Sequence, residues 1–245
     1  MQKKYILAID QGTSSTKSLI FDAGGYAIAK GSEPLQTNYP DNNFVEQDPE
    51  AIYQNVLTSV KKCLQQFYEK GFKETDIAVI GIDNQRETFV IWDKDGVPLY
   101  PAVVWQCKRS VQVCEQLKEK GLSATIQQKT GLVIDPYFSA TKLIWLFQNN
   151  ETIREAIKNG HAFFGTIDTW LLYKLTDGKE YATDYTNASR TLLFNLHTLQ
   201  WDKELIDAYG LTGIQLPQIK SSSFLFGETL LNGLFKNAVP ITALI

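Results

Sequence analysis

The chain has 245 residues, of which 44% are hydrophobic, 12% aromatic and 21% charged, with a formal net charge of −3. This composition is typical of a globular domain with a substantial core, and it excludes long disordered segments. The slightly acidic balance gives no overall basic field, so small molecules are favoured as partners and nucleic acid and anionic membranes are excluded.

The first part of the chain predicts three short strands and one long helix. Apolar segments indicate strands over Tyr5–Asp10, Lys17–Asp22 and Tyr26–Gly31. A polar loop and a glycine turn join these strands, so they are predicted to form a β-meander. Asp48 then supplies an N-cap and Pro49 the first helical position, and apolar residues follow at helical spacing.

The next part of the chain predicts a second block of three strands, Ile77–Ile82, Thr88–Asp93 and Leu99–Trp105, which resembles the first meander. Helical patterns follow over Ser110–Lys120, Thr141–Asn149, Thr152–Lys158 and Asp168–Leu175. Strands come first and helices later, which favours an α/β domain with a mixed, partly antiparallel sheet flanked by helices. Because no linker composition is visible, residues 1–245 are predicted to form a single domain.

The cysteines and the start of the chain bear on its cellular environment. Cys63, Cys107 and Cys114 are an odd number without CxxC spacing, so neither a disulfide framework nor a zinc site is predicted. Cys107 and Cys114 are seven residues apart on a predicted helix and are expected to face the core. Residues 1–9 contain too few apolar residues for a signal peptide, and no apolar run is long enough to span a bilayer. A reducing, cytoplasmic setting is predicted.

The polar loop between the first two predicted strands has the residue types of a phosphate-binding hairpin. Gly12 lets the backbone approach a ligand closely, and Thr13, Ser14 and Ser15 add hydroxyl groups to their own N–H groups. Asp10 lies at a strand end, where its carboxylate can hold Mg²⁺ directly or through water. A strand follows the loop, so a P-loop is excluded. The alternative is a plain hairpin turn rich in small polar residues.

A second group of candidate residues follows the strand that ends at Ile82. Arg86 and Glu87 stand side by side, and such a pair suits a polyol, because Arg donates to hydroxyl oxygens and Glu accepts from hydroxyl hydrogens. Trp105 and Tyr137 would wall this pocket, since the carbon chain of a polyol packs on aromatic faces. The alternatives are an exposed ion pair worth about 0–1 kcal/mol and ordinary core packing of the aromatic rings.

The remaining polar residues are predicted to have structural roles. Asp168 is expected to cap a helix rather than to act as a catalytic acid. The polar segment Asp184–Arg190 is expected to fix loop geometry near the substrate pocket, with simple side-chain caps as the alternative. His161 and His197 are too isolated to hold a metal or form a triad, and they are predicted to be surface or structural residues.

Five segments together carry a family resemblance. They are Ala8–Ser15, Ile82–Thr88, Val103–Cys107, Thr130–Ser139 and Thr183–Thr191. The first resembles the phosphate-binding hairpin shared by actin, hexokinases and Hsp70-type ATPases. All five resemble the N-terminal domain of glycerol kinases in the FGGY carbohydrate kinase family, rather than that of xylulokinases or gluconate kinases. The similarity runs from Tyr5 to about Thr242.

The resemblance implies a ribonuclease-H-like lobe of the actin/hexokinase/Hsp70 ATPase superfamily, with the active cleft between two such lobes. The residues implied to contact glycerol are Arg86, Glu87, Trp105 and Tyr137. Those implied to contact the nucleotide phosphates are Thr13, Ser14, Ser15 and Lys17, while Asp10 would serve Mg²⁺. The complete enzyme would convert ATP and glycerol to ADP and glycerol 3-phosphate, and family members often form homo-oligomers.

Three departures from the family pattern bear on these expectations. Lys17 stands where the family usually has arginine, and Asp83 stands where glycerol kinases usually have threonine. The family continues into a Gly-Asp-Gln-Gln motif, whose aspartate is the general base, whereas this sequence stops at Ile245. Losing a general base costs roughly 10²–10⁴ in rate, so the chain alone is expected to turn over negligibly. The alternatives are an FGGY kinase for another polyol or sugar, and a non-catalytic polyol-binding module.

Overall fold

A computed structural model describes residues 4–245, and it contains the strands and helices of an α/β protein. Met1–Lys3, part of the stretch on which the signal-peptide expectation rests, lie outside the described residues. The strands are β1 (Tyr5–Gln11), β2 (Ser15–Phe21), β3 (Ala27–Pro34), β4 (Glu46–Gln47), β5 (Ile77–Asn84), β6 (Phe89–Trp92), β7 (Pro98–Val103), β8 (Phe163–Thr166), β9 (Ala182–Asp184), β10 (Phe194–Asn195), β11 (Gln200–Trp201), β12 (Gln218–Lys220), β13 (Ser223–Thr229) and β14 (Val239–Leu244). The α-helices are α1 (Pro49–Glu69), α2 (Val111–Glu119), α3 (Ser123–Thr130), α4 (Ser139–Asn149), α5 (Glu151–Lys158), α6 (Ile167–Leu175), α7 (Tyr185–Ala188) and α8 (Lys203–Ala208).

The largest sheet is mixed, as predicted, and has the order β13-β14-β5-β1-β2-β3. The first three strands pair antiparallel with their chain neighbours, which confirms the predicted meander. β5 lies parallel to β1 on one side and to β14 on the other. Because the ends of parallel strands meet at one edge, the residues at the ends of β1 and β5 are brought together.

A second sheet has the order β4-β7-β6-β8, and all of its pairs are antiparallel. The prediction that β5, β6 and β7 form a second meander is therefore wrong, because β5 belongs to the first sheet. Both edges of β5 are occupied by parallel partners, so β6 has no edge of β5 to pair with. The polar segment between β5 and β6 carries the chain from one sheet to the other.

Helix α1 begins and packs as its sequence predicts. The carboxylate of Asp48 accepts a hydrogen bond from the backbone N–H of Glu50 at 2.9 Å, and Pro49 occupies the first helical position. The buried face of the helix lies against β2 and β3. Gly31 of β3 makes this approach possible, since a Cβ there would overlap the Ser59 carbonyl and lie 2.6 Å from the Cys63 nitrogen.

Two hydrophobic cores lie on opposite sides of the second sheet. Val90 and Trp92 of β6 face the core beneath α1 and α6, while Phe89 and Ile91 face the core formed with α2, α4 and α5. All four side chains are buried. A strand buried on both faces reads as a continuous apolar run rather than an alternating one. β6 therefore ties the two cores together and sets the position of the polar segment that precedes it.

The predicted helices over residues 110–120, 141–149, 152–158 and 168–175 correspond to α2, α4, α5 and α6. Cys107 and Cys114 are both buried, as expected, but Cys107 lies in the turn before α2 rather than on the helix. Burial raises the pKa of the Cys63 and Cys114 thiols to about 11. Within residues 4–245, the structure has no helix that is both long and apolar enough to cross a membrane.

Asp168 does not cap a helix end as predicted, because the N-cap of α6 is Thr166. Asp168 lies inside the first turn, and its fully buried carboxylate accepts hydrogen bonds from the hydroxyls of Thr166 at 2.5 Å and Thr183 at 2.6 Å. Burial raises its pKa to about 6 despite these two donors. The side chain links β8, α6 and β9, which is a structural role, although not the predicted one.

Candidate functional site: a phosphate hairpin beside a polyol pocket

The candidate phosphate loop is a tight connection between β1 and β2. Gly12 donates its N–H to the carbonyl of Ser15 at 3.0 Å, and a Cβ at Gly12 would lie 3.1 Å from that oxygen. Ser14 is exposed at the tip, and its carbonyl accepts the N–H of Leu35. Thr13 and Ser14 lie in this connection and Ser15 begins β2, so the three hydroxyl-bearing candidates are adjacent at one tight turn.

Two carboxylates stand side by side next to this loop. Asp10 of β1 is the register partner of Asp83 of β5. Partial burial, with a further contribution from the negative charge of Asp10, raises the pKa of Asp83. The amine of Lys17, on the opposite side of Asp10, lies 3.8 Å from the Asp10 carboxylate. A cation placed between the two carboxylates would relieve their repulsion, so the pair suits Mg²⁺ that also binds phosphate oxygens and water.

Glu87 sits in a strained turn. Its φ is 60°, and the N–H of Thr88 donates to the carbonyl of Arg86 at 2.7 Å. An i to i+2 hydrogen bond around a residue with positive φ defines a γ-turn, which is rare and strained in this form. The hydroxyl of Ser139, at the start of α4, donates to the Glu87 carbonyl at 2.9 Å and helps to hold the turn. Such outliers concentrate at functional sites.

The four candidates for polyol contact come together at one cavity. Arg86, Glu87, Trp105 and Tyr137 line a cavity of about 260 Å³, which Asp10, Gly12 and Thr13 of the hairpin also line. The rings of Trp105 and Tyr137 lie 5.4 Å apart at an angle of 59°. The Arg86 guanidinium donates to the carbonyl of Thr186 at 3.2 Å, which fixes its direction. Sequence segments that lie far apart therefore form one concave surface.

The floor of this site contains three buried glutamines that the sequence analysis did not single out. The amide nitrogen of Gln85 donates to the side-chain oxygens of Gln11 at 3.1 Å and Gln47 at 2.9 Å. The amide nitrogen of Gln47 in turn donates to the backbone carbonyl of Thr13 at 2.7 Å. This network connects Gln85, which follows β5, to Thr13 of the hairpin.

Thr88 and Trp105 complete the connection. The Thr88 hydroxyl donates to the side-chain oxygen of Gln85 at 2.9 Å and accepts the backbone N–H of Trp105 at 3.1 Å. The indole N–H of Trp105 then donates to the hydroxyl oxygen of Thr13 at 2.9 Å. The proposed polyol wall and the proposed phosphate loop are thus hydrogen-bonded to each other directly.

Arg190 is a second residue that was not named as a site candidate, although it ends the polar segment that was expected near the pocket. Its Nε donates to Oε1 of Glu87 at 2.6 Å. Glu87 is 1% exposed, and its Oε2 is buried with no hydrogen-bond partner within the described part of the chain. A buried carboxylate oxygen without a donor is costly unless a ligand supplies one.

The rest of the segment that ends at Arg190 fixes its own shape by side-chain caps. The Asp184 carboxylate accepts the backbone N–H groups of Thr186 and Asn187, and the Asn187 side chain accepts a hydrogen bond from Asn84 at 3.0 Å. The segment therefore contains the side-chain caps of one interpretation, and these caps fix the loop beside the pocket as the other interpretation expects. His161 and His197 do not line the cavity, and the His197 ring forms a hydrogen bond with the Gln128 carbonyl at 2.9 Å, which is a structural contact.

Lys142 of α4 is fully buried beneath Tyr137. Its amine donates to the carbonyls of Pro136 at 2.9 Å and Tyr137 at 2.6 Å. Burial is the main reason that its pKa is lowered to about 7. The amine fastens the end of the loop that carries Tyr137, so it positions one wall of the cavity.

The hairpin, the paired aspartates and the adjoining mixed sheet together have the arrangement of the lobe found in the actin, hexokinase and Hsp70 superfamily. Among residues 4–245, no group of three or more His, Cys, Asp or Glu side chains could hold a metal by itself. Mg²⁺ usually binds through one or two carboxylates plus phosphate oxygens and water. The Asp10–Asp83 pair beside a phosphate loop fits that mode of binding.

Comparison with known proteins makes the assignment specific. Residues 5–243 match the FGGY family of carbohydrate kinases, N-terminal domain, and the chain belongs to this family. It is 47% identical over 245 residues to a glycerol kinase of Halothermothrix orenii, covering 100% of this chain and 48% of that protein. It is 45% identical over 239 residues to glycerol kinase 2 of Thermotoga maritima, covering 97% of this chain and 47% of that protein.

Solved structures agree with this assignment. A crystal structure of Plasmodium falciparum glycerol kinase with ADP superposes with a TM-score of 0.92 at 36% identity, covering 100% of this chain and 48% of that one. A gluconate kinase of Lactobacillus acidophilus gives a TM-score of 0.84 at 25% identity, covering 98% of this chain and 48% of that one. The predicted fold and family are confirmed, and the chain spans about half the length of the relatives it matches.

Proposed function

We propose that this chain is the N-terminal, polyol- and phosphate-binding half of a glycerol kinase. The complete enzyme would transfer the γ-phosphoryl group of ATP to a primary hydroxyl of glycerol and release ADP and glycerol 3-phosphate. The observation that carries the proposal is the single cavity lined by Arg86, Glu87, Trp105 and Tyr137 together with the hairpin residue Thr13. Its similarity to glycerol kinases of known sequence supports the choice of substrate.

The chemistry of the cavity suits glycerol. The Arg86 guanidinium would donate hydrogen bonds to hydroxyl oxygens, and the free Oε2 of Glu87 would accept one from a hydroxyl hydrogen. Trp105 and Tyr137 would pack against the carbon chain. A cavity of about 260 Å³ has room for a three-carbon polyol.

Phosphoryl transfer needs positioning and neutralisation of charge more than it needs covalent chemistry from the protein. The N–H groups and hydroxyls of Thr13, Ser14 and Ser15 would hold nucleotide phosphates. Asp10, with Asp83 beside it, would hold Mg²⁺, which neutralises phosphate charge when bound. Lys17, whose amine is 3.8 Å from Asp10, would add a positive charge at this edge of the hairpin.

The alternative of an FGGY kinase for another sugar is motivated by Asp83. In the structure Asp83 lies beside Asp10, and it is not among the residues that line the cavity. Its position thus favours a role near the phosphate side over direct reading of a sugar hydroxyl. A non-catalytic polyol-binding module predicts the same cavity without turnover, so only measurement separates it from a kinase.

We also infer a single domain over residues 1–245, a cytoplasmic location and a homo-oligomeric state for the complete protein. The support for a reducing compartment is that Cys63, Cys107 and Cys114 are free and buried. Sedimentation analysis would test the oligomeric state, and limited proteolysis would test whether one cooperative domain forms.

Competition measured by ligand-observed NMR tests the proposal on the chain itself. Glycerol should bind, and D-xylulose or gluconate should displace it poorly. Preference for either sugar would replace glycerol kinase with another kinase of the family. ADP release from Mg-ATP, with and without glycerol, is measured alongside. Glycerol-dependent release would show that this chain supplies its own general base, whereas binding without release would match a half-site or a binding module.

A further inference from the structure

Glu87 is held at two points, one on its backbone and one on its buried carboxylate. Ser139 fixes its backbone carbonyl, and Arg190 binds Oε1, while the peptide itself is in a strained γ-turn. The positive φ of this turn is unfavourable for a glutamate, so contacts with the surrounding residues must maintain the conformation. Arg190 is 103 residues away in sequence and does not line the cavity.

We propose that Arg190 is a positioning residue that leaves Oε2 of Glu87 as the one acceptor offered to a ligand hydroxyl. This inference rests on the proposed polyol site and adds a residue to it. Arg190 occupies Oε1, so Oε2, which is buried and has no donor among the described residues, is the carboxylate oxygen left for a ligand hydroxyl. The arginine therefore determines which hydroxyl geometry the site accepts.

The guanidinium is itself fixed in direction by two aromatic rings. The Arg190 Cζ lies 5.1 Å from the centre of the Phe138 ring and 6.0 Å from that of Tyr137. Stacking of a planar cation on aromatic faces favours arginine over lysine, whose compact amine neither stacks nor presents a fixed N–H direction. Because Tyr137 also lines the cavity, the same arginine orders the acceptor and one wall.

Glycerol affinity in a double-variant cycle tests this role. The variants are Arg190→Met, Glu87→Gln and the double variant, each titrated calorimetrically. Arg190→Met should weaken glycerol binding about 10- to 100-fold, because the Glu87 carboxylate loses the charged donor that fixes Oε1, and Oε2 is then no longer held in one direction for the ligand. The double variant should bind no more weakly than Glu87→Gln, since both changes remove the same contact. Arg190→Lys should recover only part of the affinity.

Two comparisons show whether the effect is specific to one hydroxyl. Propane-1,2-diol and propane-1,3-diol each lack a different hydroxyl of glycerol. For the diol that lacks the hydroxyl bound by Glu87, Arg190→Met should weaken binding less than it weakens glycerol binding, because only the contact of Arg190 with Tyr137 then matters. The matched control is Arg154→Met, because the Arg154 side chain is 31% exposed against 33% for Arg190, and its carboxylate contacts are 3.9 and 4.0 Å. Unfolding in urea verifies that each variant folds.

The outcomes separate the inference from the function on which it rests. If wild type binds glycerol and Arg190→Met binds it equally well, the positioning role is overturned while the polyol site stands. If both diols are affected alike, Arg190 acts on general stability and the inference is also overturned. If folded wild type binds no polyol, the proposed function fails and this inference fails with it.

Discussion

The indole N–H of Trp105 donates a 2.9 Å hydrogen bond to the hydroxyl oxygen of Thr13. One residue belongs to the proposed polyol wall and the other to the proposed phosphate loop. Because the same Trp105 also contacts Tyr137 and the Thr88 hydroxyl, movement of the wall moves the loop. The two halves of the candidate site are thus built as one unit.

Trp105→Phe should loosen the hairpin while keeping an aromatic wall. Losing one neutral hydrogen bond of about 0.5–1.5 kcal/mol should speed amide hydrogen exchange at Gly12 and its neighbours about 2- to 10-fold. Trp201→Phe is the control, since its indole donates to the Pro217 carbonyl outside the site. Equal exchange in wild type and Trp105→Phe would show that the contact does not support the loop.

Gln85→Leu should destabilise the floor of the site. It leaves the side-chain oxygens of Gln11 and Gln47 without their common donor, and each buried unsatisfied group costs about 1–3 kcal/mol. We expect urea unfolding to show a loss of about 2–6 kcal/mol. Gln65→Leu is the control, because Gln65 is exposed and its side-chain hydrogen bond to Glu69 is 3.4 Å long. A loss shared by both variants would argue against the network.

Gly31→Ala should cost several kcal/mol of stability, because its Cβ would overlap the backbone of α1. Gly81→Ala is the matched control within a strand, since its Cβ would meet the Ala243 Cβ at an ordinary 3.6 Å. Thermal unfolding followed by circular dichroism compares the two. Similar melting temperatures for both variants would mean that α1 does not depend on this close approach.

Lys142 should make stability rise with pH. Burial lowers its folded pKa from 10.5 to about 7, so between these values the unfolded state binds more protons than the folded state. The free energy of unfolding contributed by this residue should therefore increase by about 2 kcal/mol from pH 7 to pH 9. Lys142→Met should remove that increase.

The control for this pH dependence is Lys118→Met, whose amine is exposed and paired with Glu115. Its pH profile should match that of wild type. If Lys142→Met retained the wild-type slope between pH 7 and pH 9, the buried amine would be charged in the folded state.

The elements predicted best were those with strong local signals. Asp48 and Pro49 mark the start of α1, and the spacing of apolar residues fixes its buried face. Helix α3 was missed because its N-cap is Leu122, which makes no side-chain cap, and its apolar face is weak. The separation of β5 from β6 was missed because strand pairing depends on distant partners such as β14.

In the candidate site, too, the residues with a strong local signal could be predicted and the others could not. Arg86 and Glu87 stand out because two opposite charges follow an apolar strand. Arg190 has no such local signal, since its partner Glu87 is 103 residues away and only the fold brings the two together. The burial of Gln11, Gln47 and Gln85 could not be predicted either, because the sequence around a glutamine does not show whether its amide will be buried and hydrogen-bonded.

A calorimetric titration of the 245-residue chain with glycerol, run beside Glu87→Gln, tests the proposed polyol site most directly. We predict saturable binding of one glycerol per chain to wild type, and an affinity about 10- to 100-fold lower in Glu87→Gln, because the carboxylate acceptor is lost. The absence of saturable binding, or equal affinity in wild type and Glu87→Gln, would contradict a polyol site at Arg86 and Glu87.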